Sequence, residues 1–455
     1  MVRIEPMADR IFRPDRREFL AGLGAAALGP AMPAMADAQG LQRTQSALAR
    51  LPLALRAKAE TIALGLGGPD TPIWSLAGSA QDQAFRFKRG DAPEITLLNE
   101  LPVATLLNWH GIDGAAVAEP LLARAPLAPL ATDSFAFPLR HAGTYLCDLR
   151  LLGDGQARPS AARALIVQEN EAVAVDRDEV FLIEDWRLRP DGSAIAAGTD
   201  PKDTTPLYTI NRKPTLDIPA RTHERLRLRF INGCQRTVIA IKIEGHDVRV
   251  MALDGQPAEP FFARGSAVVL APGGRADVFI DATMPVGSTS AILLHDGNEA
   301  RPIARLVASD QPPIRSAPLP AASALPSNGL PAQLDLRNAL RVDLSLGGIQ
   351  SDWVAPANFA ATTSPAFRAK PGRTVVLALT NRAPIATVFH LHGHHFRLLD
   401  RLDDGWKPYW LDTLAIESGQ TQRVAFAAEY AGRWLMETMA TDWAAPRLLR
   451  WYSVE

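Results

Sequence analysis

The chain has 455 residues, 47% hydrophobic and 21% charged, with a formal net charge of -1 at pH 7. That length suits about three domains, and a near-neutral balance gives no reason to expect nucleic acid or an anionic membrane surface as a partner. Cys147 and Cys234 are its only cysteines, so no disulfide framework is available, while 36 prolines and 32 glycines suit a turn-rich all-β protein.

The N-terminus reads as an address. Asp15-Arg16-Arg17-Glu18-Phe19-Leu20 has the form of a twin-arginine export motif. An apolar Ala/Gly/Leu run at 21–32 follows, and Ala34-Met35-Ala36 offers a small-x-small cleavage site. Residues 1–36 are expected to be a signal peptide that sends the chain to the periplasm. The run is too short and too rich in Gly to cross a membrane, so no membrane span is expected. The Gly-rich stretch 63–68 lacks the Gly-Lys-Ser/Thr ending of a phosphate loop and reads as a turn. No nucleophile elbow or paired CxxC zinc motif occurs.

One β-unit then appears three times. Residues 85–90 lead into 94–99, 216–221 into 226–232, and 367–372 into 374–381. Each reads as a strand, a polar turn and a second strand ending in Asn. Downstream lie Asn108-Trp109-His110-Gly111, Lys242-Ile243-Glu244-Gly245 and His390-Leu391-His392-Gly393, with spacings of 12, 13 and 12 residues from the Asn to the Gly. Ala142-Gly143-Thr144-Tyr145-Leu146 and Ala431-Gly432-Arg433-Trp434-Leu435 introduce a further pair of equivalent strands. Asp148 and Arg150 on one therefore correspond to Glu437 and Met439 on the other. A repeat of this length implies three equivalent modules. The expectation is an all-β chain of three Greek-key β-sandwich domains at 45–170, 171–310 and 332–455. Residues 311–331, rich in Pro, Ala and Ser, join the last two.

His390 and His392 are two apart on a strand, so both imidazoles share a face. Such a pair suits copper, zinc or iron. Residues 381–396 and 432–454 together resemble the C-terminal domain of a multicopper oxidase, and the likeness to three-domain multicopper oxidases extends over almost the whole mature chain. The resemblance implies three cupredoxin-like domains. It also implies trinuclear copper between the first and third, held by His-x-His pairs, and a blue copper in the third, held by two His and one Cys. At the matching positions this sequence departs from the pattern. The first motif reads Asn108-Trp109-His110-Gly111, and Asp148 and Arg150 stand at the second pair. Thr387 stands at the leading blue-copper histidine, whereas His390 and His392 are kept. Glu437 and Met439 flank Thr438, which takes the place of the cysteine. Trp443 and Leu448 take the places of the remaining blue-copper histidine and the axial methionine.

A blue copper site depends on a thiolate, and the Thr438 alcohol does not ionise near neutral pH. Arg150 would bring a permanent positive charge to the trinuclear position, where it is expected to pair with Asp148 or Glu437 as a polar filling. The expected function is an exported multicopper-oxidase-like protein that has lost the blue copper site and most of the trinuclear site. It would act as a non-catalytic periplasmic binding or scaffold protein, with no cofactor and with an unidentified periplasmic protein or small molecule as partner. The alternative is a mononuclear metalloprotein or oxidoreductase. It would hold one Cu, Zn or Fe ion at His110, His390 and His392, with Asp148 and Glu437 as further candidates. A true copper oxidase stands third, because the cysteine is missing. His394 and His395 lie beyond Gly393 and, like the isolated His141, His223, His246 and His295, read as structural. Cys147 and Cys234 read as small core residues, and no catalytic residue can be named.

Overall fold

The repeated Asn explains why the unit recurs. Asn99, Asn232 and Asn381 are fully buried. Each side-chain amide donates to two backbone carbonyls at 2.8–3.0 Å: Val103 and Leu127, Thr237 and Leu270, Ile385 and Ile416. Each Oδ1 accepts the backbone N–H of the residue two positions on, Leu101, Cys234 or Ala383. The turn after the strand is thereby buried without leaving backbone groups unpaired, and the strand end is tied to a second segment.

The computed structural model describes residues 50–64, 68–78, 84–347, 352–400 and 405–455. The export motif and the cleavage site lie outside the described residues. Each Asn-terminated strand pairs in parallel with a long strand preceding it: Ala92–Asn99 with Arg50–Ile62, Arg225–Asn232 with Arg177–Leu188, and Thr374–Asn381 with Leu340–Leu346. Around these pairs the chain forms three β-sandwiches. The first joins two four-stranded sheets, the second a six- and a five-stranded sheet, and the third a four- and a five-stranded sheet. All three belong to one unit, Leu48–Glu455. Among the described residues, no helix is long and apolar enough to cross a membrane.

Strand alternation builds one core per sandwich. Ile95 and Leu97 meet Leu165 and Val167 in the first, Leu226 and Leu228 meet Ile292 and Leu306 in the second, and Val375 and Leu377 meet Phe389 and Trp434 in the third. The opposite face of Arg225–Asn232 is buried too, and there charge replaces apolar contact. Arg227 pairs with Asp277 and Glu169, while Arg229 pairs with Asp178 and Asp277 and donates to Thr144 Oγ1 of the first sandwich at 2.8 Å. Full pairing is what makes such buried guanidinium groups tolerable.

The 311–331 segment has no regular secondary structure, yet it is anchored. Leu325 packs against Met251 and Phe279. Asn328 bonds both the N–H and the carbonyl of Ala142, at 2.9 and 2.8 Å, and the Gln256 side chain at 2.9 Å.

Candidate functional site

The candidate site lies where the first and third sandwiches meet. Asn108–His110 runs antiparallel to Gly143–Asp148, with Asn108 opposite Asp148 and His110 opposite Leu146. Asp148 is thus the diagonal neighbour of His110, and His110 Nε2 bonds Asp148 Oδ2 at 3.1 Å. In the third sandwich Thr387–Leu391 runs antiparallel to Gly432–Ala440, with His390 opposite Glu437. Backbone bonding joins the two parts, from Gly114 N–H to the Gly393 carbonyl at 3.1 Å. Gly111 and Gly393 have φ of +88° and +74°, and a Cβ at either would run into the Arg275 guanidinium or the Trp434 ring. Glycine is therefore required at both seams.

The structure brings His110, His390, His392, Asp148 and Glu437 together. The His390 ring lies 4.9 Å, centroid to centroid, from His110 and from His392. Asn108 Nδ2 donates to Glu437 Oε1 at 2.8 Å, bridging the sandwiches. The three imidazoles differ in state. Thr413 donates its hydroxyl to Asp412 at 2.6 Å, so at 2.9 Å it accepts from His390 Nδ1. That assigns the proton to Nδ1 and leaves the Nε2 lone pair buried without a partner. Burial, aided by the neighbouring histidines, lowers the His390 pKa to about 4 despite Asp412, so the ring is neutral. His110 donates from Nε2 to Asp148, and its Nδ1 is likewise buried without a partner, facing Gly273.

His392 is the opposite case. Burial opposes its charge, but Glu119 on Nδ1 at 2.9 Å and Glu437 on Nε2 at 2.8 Å outweigh burial and raise its pKa to about 10. It is a doubly bonded imidazolium with no free lone pair. Glu437 also pairs with Arg447, which holds that carboxyl well below its ordinary range against the cost of burial.

Arg150 does not pair with Asp148 or Glu437 as expected. Its strand ends at Asp148, and Arg150 opens a short 3-10 turn, so the alternation that would have aimed it at the cluster has stopped. Only its backbone N–H reaches Asp148, at 2.9 Å. The guanidinium points to the second sandwich and bonds Glu184 at 2.6 Å and the carbonyls of Ser160 and Gly233. Arg447, which sequence reasoning missed, takes the expected place. It stands opposite Met439 on Arg447–Val454 and is therefore diagonal to Glu437. Glu119, Asp412 and Thr413 were missed as well. The signal for Arg447 was the hairpin register, whereas nothing local marks Glu119.

The other histidines are buried or bonded to backbone. His395 is clamped between Asp113 at 2.8 Å and Asp412 at 3.4 Å, and Asp113 also pairs with His141 at 3.1 Å. His394 bonds the Tyr452 hydroxyl and the Tyr430 N–H. His223 and His246 bond carbonyls, and His295 accepts from Gly297 N–H. Cys147 and Cys234 are fully enclosed, and burial pushes both thiols up. Around the expected blue-copper position, Thr438 has a buried hydroxyl without a partner, and Thr387 donates to Asn381. Trp443 packs on Ile195 and Ala197 and donates to the Ala196 carbonyl.

Residues 171–293 and 334–455 each match a family model described as multicopper oxidase. The chain is 24% identical over 430 residues to the multicopper oxidase MmcO of Mycobacterium tuberculosis, across 82% of this chain and 81% of that protein. It is 25% identical over 257 residues to copper resistance protein A of Escherichia coli, across 44% of this chain and 41% of that protein. Among solved structures, a multi-copper oxidase from Pseudomonas thermotolerans aligns with a TM-score of 0.75 at 24% identity, over 90% of this chain and 100% of that one. Lac15 from a marine microbial metagenome aligns with a TM-score of 0.73 at 24% identity, over 89% and 100%.

These matches correct the expectation that the chain carries no cofactor. The matched models are of multicopper oxidases, and the relatives are named for copper. Missing ligands alone do not decide the cofactor, because the strands and carboxylates that orient the retained histidines are still in place. Donor chemistry decides what fits. Thr387 and Thr438 offer neither imidazole nor thiolate, so a blue copper does not fit there. His110 and His390 each keep one nitrogen without a partner among the described residues, and imidazole is a donor that suits copper. Among the described residues, no group of three or more His, Cys, Asp or Glu side chains is arranged to hold a metal ion as it stands, which agrees with the clamped state of His392.

Proposed function

The chain belongs to the multicopper oxidase family, and from that premise we propose an exported member that does not carry out four-electron oxidation. It acts as a periplasmic binding or scaffold protein, and copper is held as a single ion at the surviving histidines. The observation that carries this reading is Thr438, a buried alcohol at the position where the family's chemistry needs a thiolate. His110 and His390 would hold the ion through their unpartnered nitrogens, and His392 would join on giving up its proton. Asp148 and Glu437 stand beside them as carboxylates that orient the rings. Copper bound there would supply one-electron chemistry. The surrounding residues orient the imidazoles and keep the site closed to water. The partner belongs to the periplasm and is a protein or a small molecule.

The test is copper loading of the purified chain. The expected outcome is about one copper per chain, no intense blue thiolate band, and no catalytic oxygen uptake with phenols or diamines. Either a blue band or turnover would overturn the proposal. Export is tested separately, since the machinery reads the arginine pair. Arg16→Lys with Arg17→Lys is expected to leave precursor in the cytoplasm, and normal periplasmic accumulation of that variant would refute the address.

A further inference from the structure

A cleft of about 400 Å³ opens between the first and second sandwiches. One wall is Ala84–Lys88, the outer strand of its sheet. That strand pairs in parallel with Arg163–Gln168, Lys88 opposite Gln168, and the Arg89 N–H continues the ladder to the Gln168 carbonyl at 2.9 Å. Backbone groups alternate in direction along a strand, so those of Phe85 and Phe87 serve the ladder and those of Ala84, Arg86 and Lys88 point outward. Asp91 satisfies Lys88, accepting its N–H at 2.7 Å and donating to its carbonyl at 3.0 Å. Among the described residues, no strand pairs with the edge at Ala84 and Arg86, and both residues line the cleft. On the facing wall, Thr205–Ile210 covers the outer edge of Arg177–Leu188 only from Ile183 onward. Before that point the Asn211 side chain takes the Leu182 N–H at 2.9 Å and the Val180 carbonyl at 2.8 Å, and the Val180 N–H faces the cleft. The third edge, Leu216–Ala220, is blunted, because Pro219 has no N–H and its carbonyl accepts from Arg177. Three further outer strands carry proline, at Pro72, Pro206 and Pro257, whereas Ala84–Lys88 has none.

We propose that this cleft binds an extended segment of a partner protein, which adds to the open edge of Ala84–Lys88 as a further strand. The inference rests on the binding role proposed above and is independent of the metal. An extended main chain presents N–H and carbonyl groups at the repeat of about 6.6 Å that two strand residues span, which matches the spacing from Ala84 to Arg86. At roughly 10 by 4.8 by 3.3 Å for each strand residue, the cleft takes about two to three residues of such a segment. Charge selects among segments. Glu179 and Asp217 on the facing wall already pair with Arg177 and Arg305. Arg86 is exposed and has no ion pair among the described residues, so an acidic side chain on the added strand fits beside it.

The experiment selects binders to the full chain from a displayed library of short random peptides, and then measures a fluorescein-labelled selected peptide by anisotropy. Selected sequences are expected to alternate polar and apolar residues around an Asp or Glu. Arg86→Pro removes the outward N–H and the charge but leaves the ladder to Arg163–Gln168 intact. It is expected to weaken binding on the order of 10-fold or more. Methylating alternate peptide nitrogens, in the one of the two frames that faces the edge, should weaken binding to the unaltered chain as much. Hydrogen exchange at the Arg86 amide should slow when the peptide is added. Should Arg86→Pro fail to fold, the methylated peptides and the exchange measurement decide alone. An Arg86 amide already slow to exchange in the free chain means that the protein fills its own cleft, and overturns the proposal. A dimer of the parent that Arg86→Pro dissociates assigns the edge to a second copy and overturns it too. A peptide that binds the parent and Arg86→Pro equally overturns the cleft and leaves a binding role elsewhere standing. A library that yields no binder also overturns the cleft, whereas the binding role itself falls only if the copper-loaded chain turns over.

Discussion

Arg150→Ala is expected to destabilise the chain by about 3–5 kcal/mol, the cost of leaving a buried charge unpaired. Glu184 is fully buried, and among the described residues it accepts, besides Arg150, only the Ala162 N–H. Adding Glu184→Gln should recover part of the loss in urea unfolding. A single Arg150→Ala variant as stable as the parent would refute the pairing. This residue also marks the limit of period-2 reasoning. His110, Asp148, His390, His392 and Glu437 could be brought together on paper, because all but His392 lie inside strands and His392 directly follows one. Arg150 lies two residues beyond a strand end, where direction is set by a turn that the pattern of residues does not announce. Arg447 was overlooked for a related reason. Its position opposite Met439 depends on the length of the turn at 441–446, which shifts the register of everything after it.

The repeated strand-turn-strand unit was legible as a pattern, whereas the bonds made by its terminal Asn were not. Asn381→Ala would remove two donors and one acceptor from buried backbone groups. Each group left unsatisfied costs about 1–3 kcal/mol. The variant is therefore expected to lower the urea midpoint clearly without a change in slope, and Asn99→Ala should do the same in the first sandwich. A loss of less than about 0.5 kcal/mol, the size seen at ordinary surface sites, would show that water takes over these bonds. The three-sandwich plan needs only alternation and turn residues to be read. The contacts between sandwiches escape such reading, since Arg227, Arg229 and Thr144 become partners only through packing.

Protons act on the whole assembly, because the clamped histidines sit at its seams. His395 bonds Asp113 of the first sandwich and the Asp254 carbonyl of the second. Burial opposes its charge, yet Asp113 and Asp412 raise its pKa from 6.5 to about 10. A group with a raised folded pKa stabilises fully below its unfolded value and loses that contribution as pH climbs to the folded one. Stability in urea is thus expected to fall between pH 6.5 and 10, and His395→Gln should flatten the fall. A parent profile that is level over this range would refute the clamp. The 311–331 segment is a different lesson at the same scale, since composition suggested a spacer and Asn328 shows a tether. Its exposed stretch before Leu325 offers a protease a place to cut, while both sides of the cut keep their grip on the rest. Nicked chain should therefore run as two bands under denaturing conditions and elute as one particle under native ones. That would make the cut an easy point at which to exchange the third sandwich for a labelled or altered one.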